Sequence, residues 1–168
     1  VTEPEWKELS RYIRWCGDEL GLRDWHFELL RDAPTGNSGS ISATEVVQAQ
    51  IAITYGRRLG CIYVGVDFRR YKPEVQRQCV VHELIHCHMD QIRSVIKNEL
   101  FGSDRLTLSE YAMIKSAFVR AEENATDALA AAIAKQFPLI EWPKGGESKM
   151  TTKKASKPKK KAGGKGKC

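Results

Sequence analysis

Five consecutive residues, His82-Glu83-Leu84-Ile85-His86, constrain what this chain can fold into more tightly than anything else in it. Residues four apart lie on one face of an α-helix, with Cβ atoms about 5–6 Å apart. Two imidazoles at that separation converge on one small tetrahedral cation. The glutamate between them is placed to hydrogen-bond a water held by that cation, which is the position of a general base. The motif therefore asks for a helix whose flanks are packed and whose histidine face alone is open.

The stretch Pro73–Met89 supplies one. Pro73 and Glu74 suit a first helical turn. Val75, Cys79 and Leu84 make an apolar face, and Cys79-Val80-Val81 and Leu84-Ile85 carry no charge. His88 stands two positions past His86, on a different side of the helix, and reads as a partly exposed or outer-shell residue. Cys87 follows His86 directly, the wrong spacing to share its metal, and reads as core.

A catalytic zinc takes three protein ligands and keeps a position for water, so a third donor is expected downstream. The acidic pair Glu122-Glu123 is the best candidate. It lies in a long helical stretch, Thr107–Phe137, that opens on a capping box from Thr107 to Glu110 and closes before Pro138. Tyr111, Ile114, Phe118, Ala121, Ala125, Leu129 and Ile133 recur at spacings of three and four and predict a buried stripe, bordered by Glu122, Glu123 and Thr126. An acid beside an apolar stripe needs a neutralising partner, and a metal would serve. Glu123 is preferred to Glu122 as the third ligand because Asp127 lies one turn on along its face. An outer-shell carboxylate there can accept the second N–H of a ligating histidine. Two solvated helix charges are the alternative.

The remainder reads as scaffold. A helix begins at Thr2-Glu3-Pro4-Glu5, carries Trp6, Leu9, Ile13, Cys16 and Leu20 at helical spacing, and stops at Gly21. Trp25, Phe27 and Leu29 alternate as a strand, and His26 within it is not expected to ligate. Ala33–Ser40 reads as a flexible loop. Val47, Ala49, Ile51 and Ile53, then Ile62, Val64, Val66 and Phe68, alternate along two strands joined by Tyr55–Gly60, a hairpin. Helix, small sheet and two long helices make an α+β domain.

HELIH followed about three dozen residues later by Glu-x-x-x-Asp and Ala-Leu-Ala resembles the gluzincin-type metallopeptidases. More narrowly it is similar to the ImmA/IrrE-like peptidases, whose third ligand lies in a Glu-x-x-Ala-(Asn/Asp)-x-Phe-Ala segment. Glu123-Asn124-Ala125-Thr126-Asp127-Ala128-Leu129-Ala130 matches at the acidic ends and the final apolar-Ala pair, and departs at Thr126 and Leu129. The order of elements also resembles small metallopeptidase-like proteins encoded by bacteriophages. The metzincin continuation is absent, since Met89 and Ile92 stand where glycine and histidine are needed. SprT-like peptidases usually take a histidine as third ligand, and none follows His88. The resemblance covers roughly Trp6 to Phe137. It implies a zincin-like fold with an N-terminal helix, a small antiparallel sheet, the HExxH helix and a C-terminal glutamate helix. It also implies Zn2+ held by His82, His86 and Glu123, and peptide hydrolysis with Glu83 as base. Tyr55, Tyr63, Tyr71 and Tyr111 are open candidates for steadying an oxyanion.

Charge separates two regions, a metallopeptidase domain over 1–142 and a lysine-rich tail over 143–168. The chain of 168 residues has a formal charge of +6, yet Lys149–Cys168 holds nine lysines and no acid, which leaves the first 148 residues at −3. Such a tail is expected to be disordered. It serves either for weak, sequence-blind, salt-sensitive contact with nucleic acid or for solubility. No apolar run approaches the about 20 residues a membrane span needs, and the amino terminus lacks the pattern of a secretory signal. Five scattered cysteines, Cys16, Cys61, Cys79, Cys87 and Cys168, predict reduced thiols in a cytoplasmic compartment. A protein or peptide substrate is the expected partner. The competing functions are a nucleic-acid accessory protein with a structural zinc, and a regulatory peptidase specific for one repressor-like protein.

Overall fold

The computed structural model describes residues 1–31, 49–54, 56–65, 67–96, 98 and 106–143. The expected loop Ala33–Ser40, the strand position Val47, Tyr55, Val66 and the lysine-rich tail lie outside the described residues.

Helix α1, Glu3–Glu19, starts where the Glu5 carboxylate accepts hydrogen bonds from the Thr2 backbone N–H at 2.8 Å and from its hydroxyl at 3.0 Å. It buries Leu9, Tyr12, Ile13 and Cys16. It ends in a Schellman arrangement, with the Leu22 N–H on the Gly17 carbonyl and the Gly21 N–H on that of Asp18. Gly21 supplies the left-handed φ of +77° that this turn requires.

Strands β1, His26–Leu30, β2, Ala49–Thr54, and β3, Leu59–Val64, form one sheet in the order β1-β3-β2. β2 and β3 are the expected antiparallel hairpin, with Thr54 opposite Leu59. β1 pairs parallel to β3, with His26 opposite Leu59, so the sheet is mixed and not antiparallel. Alternation fixes the face a strand buries but carries no sign of its direction. The chain reaches β3 through β2, so β1 and β2 flank β3 and run opposite ways. The second alternating run also stops short: Phe68 enters the core from a single 3-10 turn, Phe68–Arg70.

The Phe27 ring fixes the approach of α1 to this sheet. A Cβ at Gly17 would lie 2.7 Å from Phe27 Cε2, and one at Gly60 would lie 2.9 Å from Ile51 Cδ1 and 3.1 Å from Phe27 Cδ1. Gly17 is therefore required by the ring's close approach, and Gly60 lets Phe27 and the tip of Ile51 pack tightly on the middle strand.

Helix α2, Pro73–Ile96, runs two turns beyond the expected Met89 and lies at the centre of the molecule. Val80, Leu84 and Cys87 pack against α1 and the sheet in the main core. Val81 and Ile85 pack against Ala130 of helix α3, Leu108–Ile133, and against Ala134 just beyond it. The α3 capping box forms as expected, Thr107 Oγ1 accepting from the Glu110 N–H and the Glu110 carboxylate accepting from the Thr107 N–H at 2.9 Å. The buried line of α3 is not the expected one. Ala121, Ala125 and Leu129 are exposed, and the line passes through Glu122, Thr126 and Ala130. The helix turns polar residues inward because the α2 face it meets is itself polar. Among the described residues no helix is long and apolar enough to cross a membrane.

Gln76, 0% exposed, ties the entry of α2 to the segment that follows α3. Its Nε2 donates to the carbonyls of Arg69 at 3.1 Å and Tyr71 at 2.8 Å, and its Oε1 accepts from Trp142 Nε1 at 2.8 Å. Gln76→Leu would leave these partners unsatisfied in a buried site and should cost about 2–3 kcal/mol. Urea denaturation should show a lower midpoint with an unchanged slope.

Candidate metal centre

Helical spacing on α2 sets the two imidazoles 4.9 Å apart, nearly perpendicular at 77°. Their Nε2 atoms are separated by 3.1 Å. From α3, Glu123 Oε2 lies 3.4 Å from His82 Nε2 and 3.6 Å from His86 Nε2. These three residues form the one group of candidate ligands among the described residues. An ion with tetrahedral bonds of about 2.0–2.2 Å holds its donors about 3.3–3.6 Å apart. Two edges of the triangle fall in that range and the third, at 3.1 Å, is slightly shorter, and two nitrogens with a carboxylate oxygen are donors suited to zinc. The Glu123 side chain is 46% exposed, so solvent reaches the triangle from the α3 side.

Carboxylates stand behind both rings. His82 Nδ1 is 2.9 Å from Asp127 Oδ1, the outer-shell position expected for Asp127. His86 Nδ1 is 3.5 Å from Glu122 Oε1. That separation is longer than a well-formed hydrogen bond, so Glu122 acts on the ring by charge attraction, and this buried nitrogen has no hydrogen-bond partner of its own. Both Nδ1 atoms thus face acceptors while both Nε2 atoms face the triangle, the orientation that a ligating histidine needs.

Glu122 is 2% exposed and held by Arg93, whose Nη2 and Nε lie 2.6 and 3.1 Å from its two oxygens. Sequence reasoning missed this pair because it looked for Glu122's partner on its own helix. A signal existed: Arg93 is seven residues past His86, two turns along the same face of α2.

Glu83 is 8% exposed and accepts a hydrogen bond from the backbone N–H of Ile51 on β2, the outer strand of the sheet. Burial pushes its carboxyl upward. A cavity of about 290 Å³ beside it is lined by His82, Glu83, Asp127, Gln78, Cys79, Val75 and Ala49. Burial likewise holds the Cys79 thiol up at about 11.

The other histidines are elsewhere. His88 is exposed and its Nε2 donates to the Leu20 carbonyl at the end of α1, at 2.9 Å. His26 begins β1, 3.6 Å from Glu28. Cys87 is buried in the main core. Of the tyrosines, Tyr71 packs on that core and the Tyr111 ring lies under Lys115.

Four carboxyl groups (Glu83, Glu122, Glu123 and Asp127) surround two imidazoles, with Arg93 as a counter-charge. The excess negative charge decides how the site titrates. Burial pulls His86 down, but Glu122 and Glu123 outweigh it and hold it at about 9. His82 is raised as well, Glu123, Glu83 and Asp127 together overcoming burial. Contact with both histidines holds Glu123 well below the usual carboxylate range. Burial opposes ionisation of Glu122, and His86 and Arg93 outweigh it.

No family model matches the chain, and no curated protein or solved structure is significantly similar to it.

A raised histidine pKa stabilises the fold below the unfolded value and loses that contribution as pH rises through the folded one. The metal-free protein should therefore lose stability between the ordinary imidazole value of 6.5 and about 9, where His86 gives up its proton. A divalent cation replaces that proton, so the zinc-loaded protein should hold its melting temperature across the same window. Thermal melts by circular dichroism, with EDTA and with zinc, check both curves.

Proposed function

We propose that this chain is a zinc-dependent peptidase with a zincin-like active site. The observation that carries the reading is the triangle of His82 Nε2, His86 Nε2 and Glu123 Oε2, with spacing close to one face of a zinc tetrahedron and a solvent-exposed glutamate. His82, His86 and Glu123 would hold the ion, which when bound would supply Lewis acidity enough to bring a water to a pKa of about 7 and polarise a carbonyl.

The chain's own residues supply the rest. Asp127 and Glu122 keep the ligating nitrogens turned inward. Glu83, anchored by the Ile51 amide and desolvated beside His82, is the proton carrier. It takes a proton from the attacking water and passes it to the leaving amine. Burial raises its affinity for a proton, which suits a group that must accept and then release one near neutral pH. The adjoining cavity gives the scissile segment room next to both Glu83 and His82.

A purely structural zinc usually takes four protein donors, and three converge among the described residues. The thiols of Cys16, Cys61, Cys79 and Cys87 suit a reducing, cytoplasmic compartment. The Lys149–Cys168 tail adds weak, sequence-blind attraction for nucleic acid to this activity.

Elemental analysis of purified protein should find about one zinc per chain, and His86→Ala should lose most of it. Glu83→Gln should retain the zinc and the fold while lowering hydrolysis of casein by at least about 100-fold. Full zinc in a His82→Ala/His86→Ala double variant would sink the assignment, and undiminished hydrolysis by Glu83→Gln would remove the glutamate's role.

A further inference from the structure

His86 contributes a ligand atom from one side of its ring and leaves the other, Nδ1, buried and facing a single acceptor 3.5 Å away. That acceptor, Glu122, does not hold its place alone. Arg93 grips it with two nitrogens, one on each carboxylate oxygen. Oε1 is shared: it takes the shorter Arg93 contact at 2.6 Å and is also the oxygen that faces His86. Moving the guanidinium therefore moves the oxygen behind the ring. His82 differs, because its Nδ1 partner Asp127 lies on the exposed side of α3.

We propose that Arg93 is a positioning residue for the metal centre, acting through Glu122 to hold the His86 ring in the orientation that presents Nε2 to the ion. The proposal rests on the zinc reading above and adds a residue with no contact to the ion. Two-pronged guanidinium–carboxylate contacts fix geometry as well as charge, and groups behind a ligating histidine typically change metal affinity by about 10–100-fold. Arg93 is on the same helix as the ring it serves, two turns on, so the chain Arg93–Glu122–His86 closes a loop between α2 and α3. Any shift of α3 relative to α2 reaches the ligand through it.

Zinc affinity by competition with a chromogenic chelator, at one pH, tests this in the full chain. Arg93→Met keeps the side-chain stem and removes the grip, and should weaken binding by about 10-fold. Glu122→Met should weaken it by about 10–100-fold. The double variant removes the buried Glu122 charge together with the guanidinium that grips it, and should match Glu122→Met within about 3-fold if Arg93 acts on the site through Glu122. Arg93→Lys should recover part of the loss. Wild-type affinity in Arg93→Met, or a double variant weaker by the product of the single losses, overturns the proposal while leaving the zinc site intact. Should Arg93→Met fail to fold by circular dichroism, Arg93→Lys, which keeps the charge and loses the two-pronged grip, decides: weaker binding than the parent supports the proposal and parental affinity overturns it. A parent protein that binds no zinc overturns this proposal and the zinc reading together.

Discussion

Attraction between the imidazoles of α2 and the carboxylates of α3 is the interaction on which the rest of this structure depends. α2 is covered on one side by α1 and the sheet and on another by Ala130 and Ala134. What remains is a polar face, and a polar face meeting another helix must be matched group for group or it costs several kcal/mol. Asp127, Glu123 and Glu122 supply that matching at successive heights, and Arg93 returns the balance from α2. The apolar contact between the two helices is modest: Val81 and Ile85 meet Ala130 and Ala134, with Ile133 and Phe137 partly buried beside them. Polar contacts therefore carry much of the work of orienting α3, and any ion bound there contributes its binding free energy to holding the helices together.

What could be read from the sequence follows from what each signal encodes. HELIH specifies a helix and a face, so the convergence of His82 and His86 was legible from spacing alone. Glu123 with Asp127 was legible for the same reason, because both lie on one helix one turn apart. The α1 stop at Gly21 and the Thr107–Glu110 cap are local chemistry, written within four residues. The errors lie where the determining partner is remote. Periodicity placed Ala121, Ala125 and Leu129 inside and left Glu122 and Thr126 on the border, since a stripe is drawn through apolar residues by habit. Glu122 is inside because Arg93 neutralises it, and Arg93 belongs to another helix. The parallel pairing of β1 was hidden for a related reason: side-chain alternation has no direction.

Glu83 shows how the sheet enters the site without contributing a side chain to the triangle. The strand beside it is β2, the sheet's outer member, and the contact is an amide of the main chain. A backbone donor leaves the contact independent of side-chain chemistry at position 51 and sensitive to the placement of the strand itself. That placement is held from behind by Gly60, where Phe27 and the tip of Ile51 pack tightly. Packing at a glycine in the sheet's middle strand is thereby connected to the seating of a carboxyl group on α2.

The uneven burial of α3 has a thermodynamic consequence of its own. Its fully buried residues, Glu122, Thr126 and Ala130, all fall in the second half, while Leu108 and Met113 in the first turns are 90% and 67% exposed. Opening a segment costs in proportion to the contacts it gives up, so the first half is the cheaper to unravel and the second half is tied to global unfolding. Glu123 lies at the boundary. A fraying front that starts at Thr107 and travels along the helix meets the first of its firm contacts at the very residues that face the histidines. The centre thus doubles as a stop for local melting, and amide exchange along α3 would change from fast to slow within about one helical turn of Glu123.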